Sequence, residues 1–161
     1  MCPAREASPS GGTANGRVVL RADGASRGNP GPAAIAYVLL DARGRELAAE
    51  GHCIGKATNN EAEYRALIAG LERAKTLPAG ELDVRLDSEL VVFQLTGRYR
   101  VRTPHLVPLH ERARSLLSSF PKVTVRHVPR RENARSDQLA NLALDEAARR
   151  RRGLPSSSPA K

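Results

Sequence analysis

Between residues 17 and 54 short apolar runs follow one another closely. Val18–Leu20 leads to Asp23, Ala33–Leu40 is almost wholly apolar, and the turn Asp41-Ala42-Arg43-Gly44 precedes a third run over 45–54. These runs predict strands at 17–23, 33–40 and 45–54, joined as an antiparallel meander. The period then changes. Thr58-Asn59-Asn60 offers helix caps before a helical pattern over Glu61–Lys75, and Leu77-Pro78-Ala79-Gly80 stops it. Leu82, Val84 and Leu86 alternate with Glu81, Asp83, Arg85 and Asp87, which is the period of a half-buried strand. A short helix over Ser88–Leu95, a helical segment at 104–119, a strand over Lys122–Val128 and a helix over Ala134–Arg149 complete the series. Three strands followed by helix, strand, helices, strand and helix predict an α/β layer fold with a mixed sheet.

Composition narrows this picture. The chain has 161 residues, 40% of them hydrophobic, which suits one domain with a modest core. Residues 1–15 mix Pro, Ser, Gly and Ala without periodicity and are expected to be a disordered tail. Residues 149–161 begin with Arg149–Arg152 and are expected to be a flexible basic tail with non-specific affinity for phosphates, leaving 16–148 as the folded domain. Aromatic residues make up 3% with no Trp, which counts against a single-strand binder built on stacked rings. The net charge of +9, from 26 Lys and Arg against 17 Asp and Glu, points to a polyanionic partner, with nucleic acid first and a membrane surface as the competitor. No apolar run reaches bilayer length and the N-terminus lacks a signal-peptide layout. Cys2 and Cys53 make neither a disulfide framework nor a zinc site, so a soluble cytoplasmic protein is expected.

Helix geometry then selects among the acids. At about 100° per residue, Glu63 shares a face with Leu67, Gly70, Leu71 and Ala74, whereas Glu61 lies opposite and reads as a first-turn acid favoured by the helix dipole. Asp137 shares the face of Ala140, Asn141, Leu144 and Ala148, either as a functional acid or as the partner of a nearby arginine. Asp23 closes the first strand and Asp87 the fourth; the alternatives are a turn residue and a helix N-terminal acid beside the cap Ser88. If those strands are neighbours, Asp23, Glu63, Asp87 and Asp137 meet, and four like charges require neutralisation. An all-oxygen donor set suits Mg2+ or Mn2+ rather than zinc, and two ions about 4 Å apart suit phosphodiester hydrolysis.

Four blocks carry a family resemblance. DGASRGNPG at 23–31, TNNEAEY at 58–64, LDSELV at 86–91 and HVPRRENARSDQLAN at 127–141 resemble, in order, the signature blocks of type 1 ribonuclease H over about residues 16–148. The resemblance implies a ribonuclease H-like fold, a five-stranded mixed sheet flanked by helices. It also implies an endonuclease that hydrolyses the RNA strand of RNA/DNA hybrids with two Mg2+ or Mn2+ ions, leaving 5′-phosphate and 3′-hydroxyl ends. Asp23, Glu63, Asp87 and Asp137 become the catalytic metal-binding carboxylates, and His127 a mobile histidine assisting proton transfer or product release; otherwise it is a strand-end residue on a solvated edge. The substrate contacts are expected at Gly24, Asn29, Lys56, Thr58, Asn60 and Ser88, with loop and cap chemistry as the coexisting role of Asn29, Thr58 and Asn60.

Two features depart from many relatives. Glu89 replaces a glutamine, which is unfavourable near phosphates unless it faces away or pairs with an arginine. The basic handle of some bacterial members is absent, and GRYRVR at 97–102 stands instead. There Arg98, Arg100 and Arg102 alternate and are expected to hold a phosphate backbone from one side, the alternative being a solvated edge. Arg21 either neutralises the acids or reaches solvent. A monomer without an obligate protein partner is expected, and the rival reading is a non-catalytic module binding RNA/DNA hybrid or double-stranded RNA.

Overall fold

The computed structural model describes residues 16–153. The tail expected at 1–15, with Cys2, and residues 154–161 of the tail expected at 149–161 lie outside the described residues. Five strands, β1 (Gly16–Ser26), β2 (Gly31–Asp41), β3 (Glu46–Ala57), β4 (Ala79–Leu86) and β5 (Lys122–His127), form one sheet in the order β3-β2-β1-β4-β5. β1 pairs antiparallel with β2 and parallel with β4, so the sheet is mixed, as the element order predicts. The helices are α1 (Asn59–Ala74), α2 (Glu89–Leu95), α3 (Val107–Ser118) and α4 (Ala134–Arg151).

Strand alternation divides the sheet into two faces. Leu20, Ala22, Leu82, Val84 and Leu86 point to one face and pack with Leu67 and Leu71 of α1 and Ala113 and Leu116 of α3. On the other face α4 sets Ala140 and Leu144 against Ala34 and Ala36 of β2, whose small side chains permit a close approach. Tyr64 is fully buried, and its hydroxyl donates to Gln94 Oε1 at 2.6 Å, satisfying the polar tip of an otherwise apolar side chain and tying α1 to α2. Among the described residues no helix is long and apolar enough to cross a membrane.

Several boundaries differ from the sequence expectations. β1 continues beyond Asp23 to Ser26, because Gly24, Ala25 and Ser26 keep pairing with Ile35, Ala34 and Ala33; the turn starts only at Arg27, whose N–H donates to Pro32 O at 2.8 Å. β3 reaches Ala57 for the same reason, opposite Gly31. Short 3-10 turns at Pro104–Leu106 and Arg130–Asn133 precede α3 and α4. Finally, α4 runs to Arg151, so Arg149–Arg151 belong to a helix rather than to a flexible tail.

Candidate active site

The sheet register brings two of the acids together. The last parallel pair of β1 and β4 is Ala22 with Leu86, so Asp23 and Asp87 are the next residue on each strand and leave the sheet at the same level. Asp23 stays fixed on its other side by pairing with Ala36. Glu63 arrives from the first turn of α1, whose start is set by a capping box: Glu61 N donates to Thr58 Oγ1 at 3.1 Å, and Thr58 N to Glu61 Oε1 at 2.8 Å. Gly24 lets that turn approach. A Cβ on it would lie 2.2 Å from the Ala62 carbonyl carbon and 2.5 Å from Glu63 N. With no Cβ present, Gly24 N donates to Glu63 Oε1 at 3.2 Å. One carboxylate oxygen each from Asp23, Glu63 and Asp87 then lies within 4.8 Å of the others.

Asp137 sits outside that triangle and beside it. It lies in the first turn of α4, half-buried, and near enough to Asp23 to help raise that carboxyl's pKa. The arginine-partner alternative is visible, since Arg130 Nη2 approaches Asp137 Oδ1 at 3.4 Å. Asn141 Nδ2 donates to the Asp137 main-chain oxygen at 3.0 Å and to Oδ1 at 3.3 Å. Sequence reasoning missed Asn133. It is fully buried, its Nδ2 donates to Ala22 O at 2.8 Å, and it stands near enough to Asp87 to favour that carboxylate's charged form. It therefore ties the start of α4 to β1, one residue before Asp23.

Burial and mutual repulsion hold these acids in an unusual state. Burial first, then the charges of Glu63 and Asp87, pushes the Asp23 carboxyl up to about 9. Burial first, then Asp87, pushes Glu63 up to about 8. Asp87 is also raised by burial, against the opposing pull of Arg130. Arg130 is in turn raised, chiefly by Asp137. Buried acids brought this close favour a compensating cation, and an oxygen-only donor set favours a hard divalent one.

The other anticipated residues ring this cluster. Asn29 Oδ1 accepts from Asn59 N at 3.0 Å, which fixes the loop after β1 to the start of α1, next to Asn60. Thr58 spends its oxygen on the cap and keeps its hydroxyl proton for another acceptor. Lys56 is exposed near the end of β3. Ser88 caps α2, accepting from Val91 N at 3.3 Å, and Glu89 is exposed in the following turn without an arginine partner among the described residues. His127 ends β5 exposed, in register with Leu86 and so one residue short of the level of Asp87. In the GRYRVR segment Gly97, at φ +84°, turns the chain out of α2 into a stretch that is neither strand nor helix. Arg98 folds back over the Phe93 ring at 4.3 Å, with Tyr99 edge-on to the same ring, and Arg98, Arg100 and Arg102 are all exposed. Arg21 neither joins the carboxylates nor stays free, because its guanidinium donates to the Glu132 main-chain oxygen.

Comparison with known proteins agrees with this geometry. The family described as "Reverse transcriptase-like" matches residues 21–143. Ribonuclease HI of Halobacterium salinarum is 51% identical over 132 residues, 82% of this chain. The N-terminal RNase H domain of rv2228c from Mycobacterium tuberculosis, solved as a fusion with maltose binding protein, is 47% identical, with a TM-score of 0.81 over 85% of this chain and 99% of that one. LC11-RNase H1, crystallised in complex with RNA/DNA hybrid, is 40% identical, with a TM-score of 0.77 over 81% and 99%. The chain spans 66% of the length of the Halobacterium protein and 36% of the Mycobacterium tuberculosis bifunctional protein Rv2228c. With the matched family, the shared fold and the four signature blocks in place, this chain belongs to the type 1 ribonuclease H family.

Proposed function

We propose that this protein is a divalent-metal-dependent endonuclease that hydrolyses the RNA strand of RNA/DNA hybrids, leaving 5′-phosphate and 3′-hydroxyl ends. The observation that carries the reading is the meeting of Asp23, Glu63 and Asp87 within 4.8 Å, with Asp137 beside Asp23. These residues fit Mg2+ or Mn2+, because only oxygens are offered and the buried acids repel one another without a cation. Asp23, Glu63 and Asp87 would hold one ion, and Asp23 with Asp137 a second. When bound, the ions supply charge neutralisation and Lewis acidity at the attacking water and the departing 3′ oxygen.

The chain's own groups prepare that site. The Gly24 N–H orients Glu63, Asn133 holds β1 one residue before Asp23, and Asn141 with Arg130 orients Asp137. His127, exposed at the end of β5, would carry a proton to or from solvent, a role that imidazole chemistry allows. Asn29, Asn60, Thr58 and Lys56 cluster at the start of α1, where side-chain amides suit 2′-hydroxyls and the threonine proton and lysine suit a phosphate. Arg100 and Arg102 extend the basic surface. In the same reading the protein acts in the cytoplasm as a monomer.

Labelled RNA/DNA hybrid, DNA duplex and RNA duplex, each incubated with Mg2+, Mn2+ or EDTA, test the reading. Metal-dependent cutting of the RNA in the hybrid alone is expected. Hybrid binding without any turnover would identify a non-catalytic module, and cutting that persists in EDTA would remove the metal from the reaction.

A further inference from the structure

The sheet carries a second charged cluster one step below the acids. Arg21 of β1 stands in register with Arg85 of β4, and Arg85 with Arg126 of β5. Leu20, Ala22, Val84, Leu86 and Val125 take the α1 and α3 face, so these three arginines share the opposite one. There α4 lies over β1, β2 and β3 and leaves the β4–β5 side open. Three guanidinium groups thus line one rung across adjacent strands, about 4.8 Å apart at the backbone. Like charges placed side by side in this way destabilise a sheet.

The compensation available is small. In the rung below, Asp83 is 1% exposed and receives Arg85 Nη2 and Arg126 Nη2 at 2.9 Å each, with Arg85 Nε at 3.2 Å and Arg126 Nε at 3.3 Å. One carboxylate therefore serves two guanidiniums. Arg21 donates to the main-chain oxygen of Glu132, and the Glu132 and Asp83 charges also act on it, which leaves three guanidiniums against two carboxylates. The Arg126 side chain is 51% exposed, so its remaining donors face solvent. The next rung, Arg17, Glu81 and Lys122, adds a further excess cation.

We propose that the Arg21–Arg85–Arg126 rung binds a phosphate group. Asp83 orients two of the guanidiniums and the phosphate supplies the charge that the fold leaves uncompensated. The rung lies two residues, about 6.6 Å along the strands, from Asp23 and Asp87. A nucleic-acid strand held at the carboxylates brings a neighbouring backbone phosphate within reach, and free phosphate is the other source of the same chemistry. The nucleic-acid version rests on the hybrid-binding reading above; the phosphate version does not.

The test uses the full chain in EDTA, so that hybrid is bound without turnover. Salt-dependent hybrid affinity is measured for wild type, Arg126→Gln and Arg126→Lys, with Arg112→Gln as a control on α3, where Arg112 pairs with Glu72. In parallel, inorganic phosphate is titrated while the arginine 15Nε resonances are followed. Strand binding is expected to lower the log–log salt slope by about one in Arg126→Gln, with Arg126→Lys and Arg112→Gln at wild-type slope. Saturable shifts of the Arg85 and Arg126 resonances with an unchanged slope assign the rung to free phosphate. An unchanged slope without saturable shifts overturns the proposal, as does an equal loss in Arg112→Gln. If wild type binds no hybrid, the hybrid reading fails, and the phosphate titration still decides the rung.

Discussion

Replacing Gly24 by alanine perturbs the site without touching a carboxylate. The new Cβ would lie 2.2 Å and 2.3 Å from the carbonyl carbon and oxygen of Ala62, and 2.5 Å from Glu63 N. All three are backbone atoms of the first turn of α1, so no side chain can rotate aside. Ordinary contact begins near 3.4 Å, which requires α1 to retreat by roughly 1 Å. Overpacking of this kind costs about 1–3 kcal/mol. At about 2–4 °C per kcal/mol for a domain of this size, a fall in Tm of about 2–12 °C is expected. The same retreat stretches the 3.2 Å hydrogen bond from Gly24 N to Glu63 and widens the 4.8 Å triangle of oxygens. A 1 Å misplacement costs on the order of 100-fold in rate, so metal-dependent cleavage should fall far more than the folded fraction does. Calorimetric unfolding and a cleavage time course on the same preparation measure both. A Gly24→Ala protein with unchanged Tm and unchanged rate would show that the approach of α1 to β1 does not set the site.

Other outcomes follow from the same geometry. Because the folded protein holds protons on Asp23 and Glu63 that the unfolded chain releases above about pH 4, stability in EDTA should fall as pH rises from about 4 towards 9 and level off beyond. Saturating Mg2+ should flatten that decline, and equal pH profiles with and without the ion would contradict it. Asn133→Ala leaves Ala22 O without its buried donor beside Asp23, so a loss of about 1–3 kcal/mol in urea unfolding is expected, along with reduced cleavage. Thr58→Ala removes the acceptor of the α1 cap and should cost about 1 kcal/mol.

The local periods in the sequence located nearly every element and sorted Glu63 from Glu61, because which face of a helix a residue takes depends only on spacing. The convergence of Asp23 with Asp87 was legible only conditionally. It depends on β1 and β4 being neighbours, a pairing made across more than 50 intervening residues that no local pattern encodes. Gly24 reads in sequence as a turn residue, whereas in the fold its absent side chain admits a helix. Asn133 sits among arginines and a glutamate and reads as solvated loop; only the 3-10 turn that folds it onto Ala22 buries it. The arginine rung was hidden for the same reason as the acid pair, since Arg21, Arg85 and Arg126 come from three strands far apart in the chain. The stacking of Arg98 on Phe93 was not legible either, because it depends on the turn that the backbone makes at Gly97.

Asp87→Asn, assayed for cleavage in Mg2+ and for hybrid affinity in EDTA, tests the central claim most directly. The substitution keeps shape and removes one anionic ligand from the triangle. Metal ions contribute several kcal/mol of transition-state stabilisation, so cleavage of the RNA strand should fall by at least about 1,000-fold while hybrid affinity stays within a few-fold of wild type. An Asp87→Asn protein that cuts the hybrid at the wild-type rate would contradict a metal-dependent site built on Asp23, Glu63 and Asp87.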